Sequence, residues 1–399
     1  MRRFLTVLAL LCCACVDDYS STDNAANTVP VWRLPLDRPD SALLGAFQPG
    51  FAKTVTLDDS AFAIAAHPND PLCVVLIPQA AVTCRRIVGG GPGEVESIEQ
   101  LVASPVGELA VWDRNSMRIG KWNRSLTRGV SIPVMESAAV GIDLLGIRAD
   151  STALVARGLT FREMPLGTFA HRERLEQWKG GKLVSKPVLE LLGGWLSVVP
   201  LGGGRGGLSI AGWPESYVAV TMKGSWLINA RNCSVLALDE SSASLAPLLS
   251  TCTGAHGFRN DVLKQLADLQ GIGSEEHRAF SATSEIPERY VGIIGMLSDY
   301  VTGELALRLN TRAPADTSVW IFVSAGRAPH AAIRIPRSLR LIGFSQSYLV
   351  FVRRDTDDVA APDAVYWMSR QSLRRDGDTT LANVARERGT QIVGDGTRK

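Results

Sequence analysis

The residues of this chain that could do covalent or metal chemistry are few and scattered. After position 15 there are four cysteines, Cys73, Cys84, Cys233 and Cys252. An even count points to disulfides if the chain is exported, and four cysteines allow three pairings. Cys73 and Cys84 lie symmetrically about Pro78-Gln79, and Cys233 and Cys252 about Ser242-Ala243. Each pair is thus placed to face across a hairpin. Opposed side chains on antiparallel strands have Cβ atoms about 4.5–5.5 Å apart, close to what a disulfide spans. The spacing predicts Cys73–Cys84 and Cys233–Cys252, with four buried thiols as the alternative. No Cys-x-x-Cys occurs after position 15, which argues against a redox-active role.

The five histidines, His67, His171, His256, His277 and His330, show no metal-ligand spacing. Asp58, Asp113, Asp150, Asp239 and Asp299 fall at strand ends, where such residues hold turns by accepting backbone N–H bonds. Calcium binding by a few of them is the alternative. Asp355-Thr356-Asp357-Asp358 reads as a solvated acidic loop. The run Gly89-Gly90-Gly91-Pro92-Gly93 lacks the Lys-Ser/Thr of a phosphate loop and does not open a helix, so it reads as a turn between strands. Leu201 to Gly207 reads as a flexible glycine connection whose mobility could admit a ligand. No Gly-x-Ser-x-Gly, His-Glu-x-x-His or paired-cysteine zinc pattern is present. The sequence therefore assigns no catalytic residue, no metal ligand and no cofactor.

The elements that must position these residues are short strands. Ser97 to Ser104, Leu109 to Asp113 and Met117 to Asn123 are apolar segments separated by turn residues about every ten positions. That is the rhythm of one blade of a β-propeller. Gly89-Gly90-Gly91-Pro92-Gly93-Glu94 with the strands after it resembles the six-bladed β-propeller family of bacterial lipoproteins, within the broad NHL-repeat class. There a GxGPGEF-like stretch links the first blade to the second; Val95 stands here in place of Phe. Ile335 to Gly343 followed by Tyr348 to Asp355 resembles the closing segment of the same family. The resemblance implies an all-β, six-bladed propeller of four-stranded antiparallel blades. It implies no reaction.

Blade by blade, the strands begin near Lys53, Ile98, Val140, Tyr217, Tyr290 and Leu339. Blade three is expected to have its third and fourth strands at Gly167 to Glu176 and Lys182 to Leu192. Asp261 to Leu269 has apolar residues at helical spacing and reads as a short helix inserted between blades four and five. Blade six shows three strands. Thr28 to Leu36 is a strand without a blade, and pairing it with blade six would close the ring. Trp112, Trp122, Trp226, Trp320 and Trp367 recur in or beside strands and are expected to pack between blades.

The N-terminus reads as an export signal. Arg2-Arg3 precede an apolar run from Phe4 to Leu11, then Cys12-Cys13-Ala14-Cys15 and the acidic Asp17-Asp18. The run is too short to span a bilayer. It resembles a bacterial lipoprotein signal cut before a cysteine that becomes lipid-modified, and Ala14 before Cys15 makes Cys15 the best acceptor. Cleavage before Cys13 or an ordinary secretory signal are the alternatives. The expected organisation is a signal peptide over residues 1–14 and a disordered tether over 15–27. The propeller would follow over 28–370 and a flexible tail over 371–399.

With a net charge of +2 across 399 residues there is no concentrated basic face, which argues against a nucleic-acid partner. The sequence thus supports a lipid-anchored propeller at the cell envelope, periplasm-facing or at the cell surface. It would act as a binding or scaffold module for a protein, peptide or carbohydrate. The alternative is an exported propeller hydrolase, lactonase or lyase with a metal in the central channel.

Overall fold

The computed structural model describes residues 29–34, 40–43, 53–65, 71–105, 107–134, 142–158, 167–184, 189–201, 204–209, 214–238, 246–248, 256–268, 286–310, 317–324, 329–353 and 364–380. They form a six-bladed β-propeller. Two short strands, β1 (Pro30–Arg33) and β2 (Asp40–Leu43), precede the first blade. Blade one is β3 (Lys53–Asp58), β4 (Ala61–Ala65), β5 (Leu72–Leu76) and β6 (Ala81–Arg85). Blade two is β7 (Gln100–Ala103), β8 (Leu109–Asp113), β9 (Arg118–Trp122) and β10 (Gly129–Pro133). Blade three comprises β11 (Ile142–Ile147), β12 (Ala153–Gly158), β13 (Gly167–Lys179), β14 (Lys182–Leu183), β15 (Leu189–Leu201) and β16 (Gly204–Ser209). Blade four is β17 (Ser216–Thr221), β18 (Gly224–Asn229), β19 (Ser234–Ala237) and β20 (Ala246–Pro247).

The helix α1 (Phe258–Asp268) stands between blades four and five, as its periodicity predicted. Blade five follows with β21 (Ile293–Ser298), β22 (Glu304–Leu309), β23 (Thr317–Ser324) and β24 (Pro329–Pro336). Blade six is β25 (Leu339–Phe344), β26 (Tyr348–Arg353) and β27 (Ala364–Ser369), and the last strand is β28 (Arg374–Thr380). The innermost strands β3, β7, β11, β17, β21 and β25 touch in sequence, and β25 returns to β3, which closes the ring.

The core lies between blades. One buried apolar cluster serves each neighbouring pair, from blades one and two round to blades six and one. A second strand is therefore covered on both faces, and β4 (AFAIA) and β8 (LAVWD) are buried at every position. Such strands read as continuous apolar runs instead of alternating ones. The outermost strand β6 has one covering neighbour and is largely exposed. The five tryptophans singled out above are all buried, Trp112 and Trp122 among them. Trp112 Nε1 donates to the Ile142 carbonyl of the next blade at 2.9 Å.

An N-terminal strand does join the ring, but not where the strand count placed it. Pro30–Arg33 lies parallel to β24 of blade five, with Val31 opposite Ala332, and antiparallel to β28. The outer strand of blade six is instead β2, with Asp40 opposite Trp367 and Leu43 opposite Ala364. The side chains decide this. Val29 and Val31 sit in the cluster between blades four and five, and Leu34 in the one between five and six. The chain beyond blade six also continues as strand through Thr380, where a flexible tail was expected from residue 371. Residues 1–28 and 381–399 lie outside the described residues.

Blade three differs too. Its fourth strand runs from Leu189 to Leu201, and the glycine run read as a flexible connection is largely strand β16, pairing with β15 from Leu201–Gly204 to Leu196–Ser209. A strand at a sheet edge, paired on one side, tolerates glycine.

The loop from Gly89 to Gly93 is an inter-blade turn, as predicted. Gly89 N–H donates to the Val95 carbonyl at 2.9 Å, and Gly91 N–H to Glu94 Oε2 at 2.7 Å. Across the blade boundary, Trp122 Nε1 donates to the Gly93 carbonyl at 2.8 Å, and Gly93 N–H to Ser131 Oγ at 2.8 Å. Gly93 has φ of 79°, where only glycine is at ease.

Candidate functional site

Each blade starts at its innermost strand, so one end of the central channel is ringed by the first residues of those strands. At this end Lys53, Glu99, Gln100 and Arg340 form a polar rim over apolar walls that include Leu101, Val102, Leu144, Leu145, Leu297 and Ile342. They enclose a cavity of about 460 Å³. Below it the channel narrows to about 180 Å³ between Thr54, Val218, Met296 and their neighbours. At the far end Tyr300, in the β21–β22 turn, accepts from Met222 N–H at 2.8 Å and donates to the Ile147 carbonyl at 3.1 Å. It reaches from blade five to blade three and lines the narrow end of the channel. Burial pushes its phenol up to about 12.

The rim is charged on its blade-one-to-three side. The Lys53 ammonium donates to the carbonyls of Ile98, at 2.9 Å, and of Glu99. Burial lowers its pKa, and the Glu99 and Asp143 carboxylates act in the opposite sense. Arg114, in the β8–β9 turn, pairs with Asp143 at 2.9 Å. Glu173 on β13 is pushed up to about 7, by burial first and by the Asp143 charge second. Its neighbour His171, with Nδ1 3.6 Å away, is shifted down, chiefly by burial. Both shifts disfavour the charged forms, which weakens the contact as an ion pair. Gln100 Oε1 is buried and finds no hydrogen-bond donor among the described residues.

Blade three extends beyond its neighbours at the same end. Residues 167–172 of β13 run past β12 and pair with β15 alone, and β16 extends this ribbon. Helix α1 packs against it through Trp195, Phe258, Val262 and Ile286. Phe258 meets Trp195 and Tyr290 edge-on, with ring centroids 5.6 and 4.9 Å apart. Backbone bonds from Glu215 N–H to the Leu192 carbonyl and from Gly257 N–H to the Glu288 carbonyl tie the ribbon to the start of blade four and the helix to the start of blade five.

The residues picked from sequence lie mostly elsewhere. Cys73 and Cys84 face each other on β5 and β6 and are joined by a disulfide, at the rim of the disc. Cys233 is also disulfide-bonded, and Cys252 lies outside the described residues. Asp58, Asp113, Asp150 and Asp299 hold turns as predicted, each accepting a backbone N–H within the next three residues. Asp239 and the acidic loop at 355–358 lie outside the described residues.

Of the histidines, His171 is at the rim, His330 bonds Glu304 at 2.8 Å and His256 bridges to Arg289; His67 and His277 are outside the described residues. Among the described residues no three of His, Cys, Asp or Glu gather as a metal-holding group. Lys53, Glu99, Gln100, Arg114, Asp143 and Glu173 were not singled out from sequence. One signal was available: a polar residue stands at or near the start of several innermost strands.

Fold and site together define a six-bladed β-propeller with a polar rim at one end of its channel. No protein-family model and no curated protein matches the sequence. Among solved structures, the chain is similar to a Bacteroides fragilis protein classed as exported, at 12% identity and TM-score 0.44, covering 86% of this chain and 100% of that one. It is similar to a Xanthomonas campestris gluconolactonase at 9% identity and TM-score 0.34, covering 86% and 97%. A streptogramin B lyase matches at 9% identity and TM-score 0.34, covering 84% and 98%.

Proposed function

We propose that this chain is an exported, lipid-anchored propeller of the cell envelope that binds a ligand at its polar-rimmed channel mouth. Within the propeller class, the Gly89 to Glu94 loop and the closing segment favour the six-bladed lipoprotein family. The Cys73–Cys84 disulfide fits an oxidising compartment outside the cytoplasm. No helix among the described residues is long and apolar enough to cross a membrane; in this proposal Cys15 carries the lipid anchor. A bacterial lipoprotein anchor with several acyl chains holds stably where one would not. Replacing Cys15 with Ser should release the protein from the membrane fraction and abolish lipid labelling.

The observation that carries the binding reading is the cavity of about 460 Å³ with apolar walls and a polar rim. Its size and character match small-ligand sites, which are concave, mostly apolar and set with a few polar groups. A peptide end, an amino-acid side chain or a sugar is of the right scale. The test is extraction and mass spectrometry of small molecules carried by protein purified from its native envelope. Leu297→Trp, which fills the channel, should lose a ligand that the wild type retains. Identical extracts from both proteins would refute the reading.

One observation favours the second reading, a propeller hydrolase, lactonase or lyase. Glu173 is poised to exchange a proton near neutral pH, beside His171 and Asp143. Turnover of an ester or lactone panel that disappears in Glu173→Gln would establish it. A panel left untouched by the wild type supports the binding module.

A further inference from the structure

Lys53 opens β3 in the rim of the mouth cavity, half-buried. An ammonium has three N–H donors. Two of them go to the carbonyls of Ile98, at 2.9 Å, and of Glu99. Among the described residues the third has no acceptor, and no carboxylate comes within ion-pair distance of the nitrogen. The carboxylates that act on it from farther off are engaged elsewhere. Asp143 is paired with Arg114, and Glu99 accepts from Ser97 Oγ at 3.2 Å. Lys53 thus carries a charge partly withdrawn from water with no counter-charge in contact, which is unfavourable until one is supplied. Part of its surface stays open in the cavity that it lines, so a bound molecule can reach it. The charged residues lining that cavity are Lys53, Arg340 and Glu99, two cations to one anion, above walls of Leu101, Leu144 and Leu297. Resting on the reading of the mouth as a binding site, we infer that its ligand is an amphiphilic carboxylate. The carboxylate accepts the third N–H of Lys53, and the apolar body lies against the leucine walls. A cationic head would be repelled by the same ammonium, and a neutral head would leave its charge unbalanced.

The test uses three matched probes, octanoate, methyl octanoate and octylammonium, titrated onto the purified protein near neutral pH by ligand-detected NMR. Octanoate should bind roughly tenfold more tightly than its methyl ester, the margin of a charge-assisted hydrogen bond over a neutral one. Octylammonium should bind most weakly. Lys53→Met, which keeps an apolar stem of similar length, should bring octanoate down to the level of the ester. Reductive methylation of the wild type, mapped by peptide mass spectrometry, serves if that variant misfolds. Saturating octanoate should shield Lys53 and leave the exposed Lys179 and Lys223 unchanged, whereas octylammonium should shield none of them. Equal binding of octanoate and ester to the wild type overturns the inference, as does tighter binding of octylammonium. A preference that survives in Lys53→Met, or a Lys53 methylated as fast with octanoate as without it, overturns it too. Failure of the mouth as a binding site is a different result, in which no probe binds the wild type and Leu297→Trp changes nothing; the inference then falls with it.

Discussion

A substitution at Gly93 separates the two reasons a glycine is needed in the loop that joins blades one and two. Its φ of 79° costs an L-residue about 1–2 kcal/mol. A Cβ there would also lie 2.6 Å from Gly129 Cα and 2.8 Å from Val130 N, both backbone atoms that cannot swing aside. Overpacking of this kind typically costs about 1–3 kcal/mol. Gly93→Ala should therefore destabilise by roughly 2–5 kcal/mol.

Two other glycines serve as controls. Gly107 shares the backbone conformation, with φ of 71°, but has nothing within 4 Å of its Cβ position; Gly107→Ala should lose about 1–2 kcal/mol. Gly90 has open space and no such φ, so Gly90→Ala should be neutral or slightly stabilising. Urea unfolding followed by tryptophan fluorescence measures all three, with a constant slope certifying that only stability has changed. If Gly93→Ala loses no more than Gly107→Ala, the loop does not lock the blades as described. The same loop leads directly to Glu99 and Gln100, so a distorted loop should also weaken ligand binding at the mouth.

Peptide mapping without reductant should recover a Cys73–Cys84 link, and Cys84→Ser should cost up to about 3 kcal/mol because the closed loop is short; the mapped partner of Cys233 is expected to be Cys252. Deleting residues 40–43 should lower the melting temperature by baring the edge of β27, and deleting 28–36 should do so by baring β24; a silent deletion at 40–43 would contradict the observed pairing. Glu173 makes stability depend on pH. Its folded pKa of about 7 lies above the ordinary 4.5, so the folded state holds a proton that the unfolded chain gives up. The stabilisation is full below about pH 4.5 and is lost as pH rises through about 7. Glu173→Gln should thus match the wild type near pH 4 and exceed it at pH 8 by on the order of 1–3 kcal/mol; a constant difference across the range would refute the shift.

Much of the ring was legible because doubly covered strands such as Ala61–Ala65 and Leu109–Asp113 must be apolar throughout, and their turns carry Asp and Gly at fixed places. The closing strands were harder to assign. Asp40–Leu43 is only four residues of weak strand character, so counting strands gave Thr28 to Leu36 a place that Asp40–Leu43 holds. Its true position follows from which inter-blade clusters receive Val31 and Leu34, and no periodicity encodes that. The glycines at 204–207 looked like a loop because an edge strand paired through its backbone needs no side-chain signature. The mouth was the least legible part. Lys53, Gln100, Asp143 and Glu173 come from three blades and acquire a common environment only when the ring closes.

Site-specific photo-crosslinking in the native envelope tests the central claim most directly. Benzoylphenylalanine would replace Glu99, at the channel mouth, or Met222, which is exposed in the β17–β18 turn at the opposite end. The account predicts a discrete mass adduct at position 99, lost when Leu297→Trp is added, and none at position 222. Adducts at position 222 alone, or at position 99 regardless of the filled channel, would contradict it.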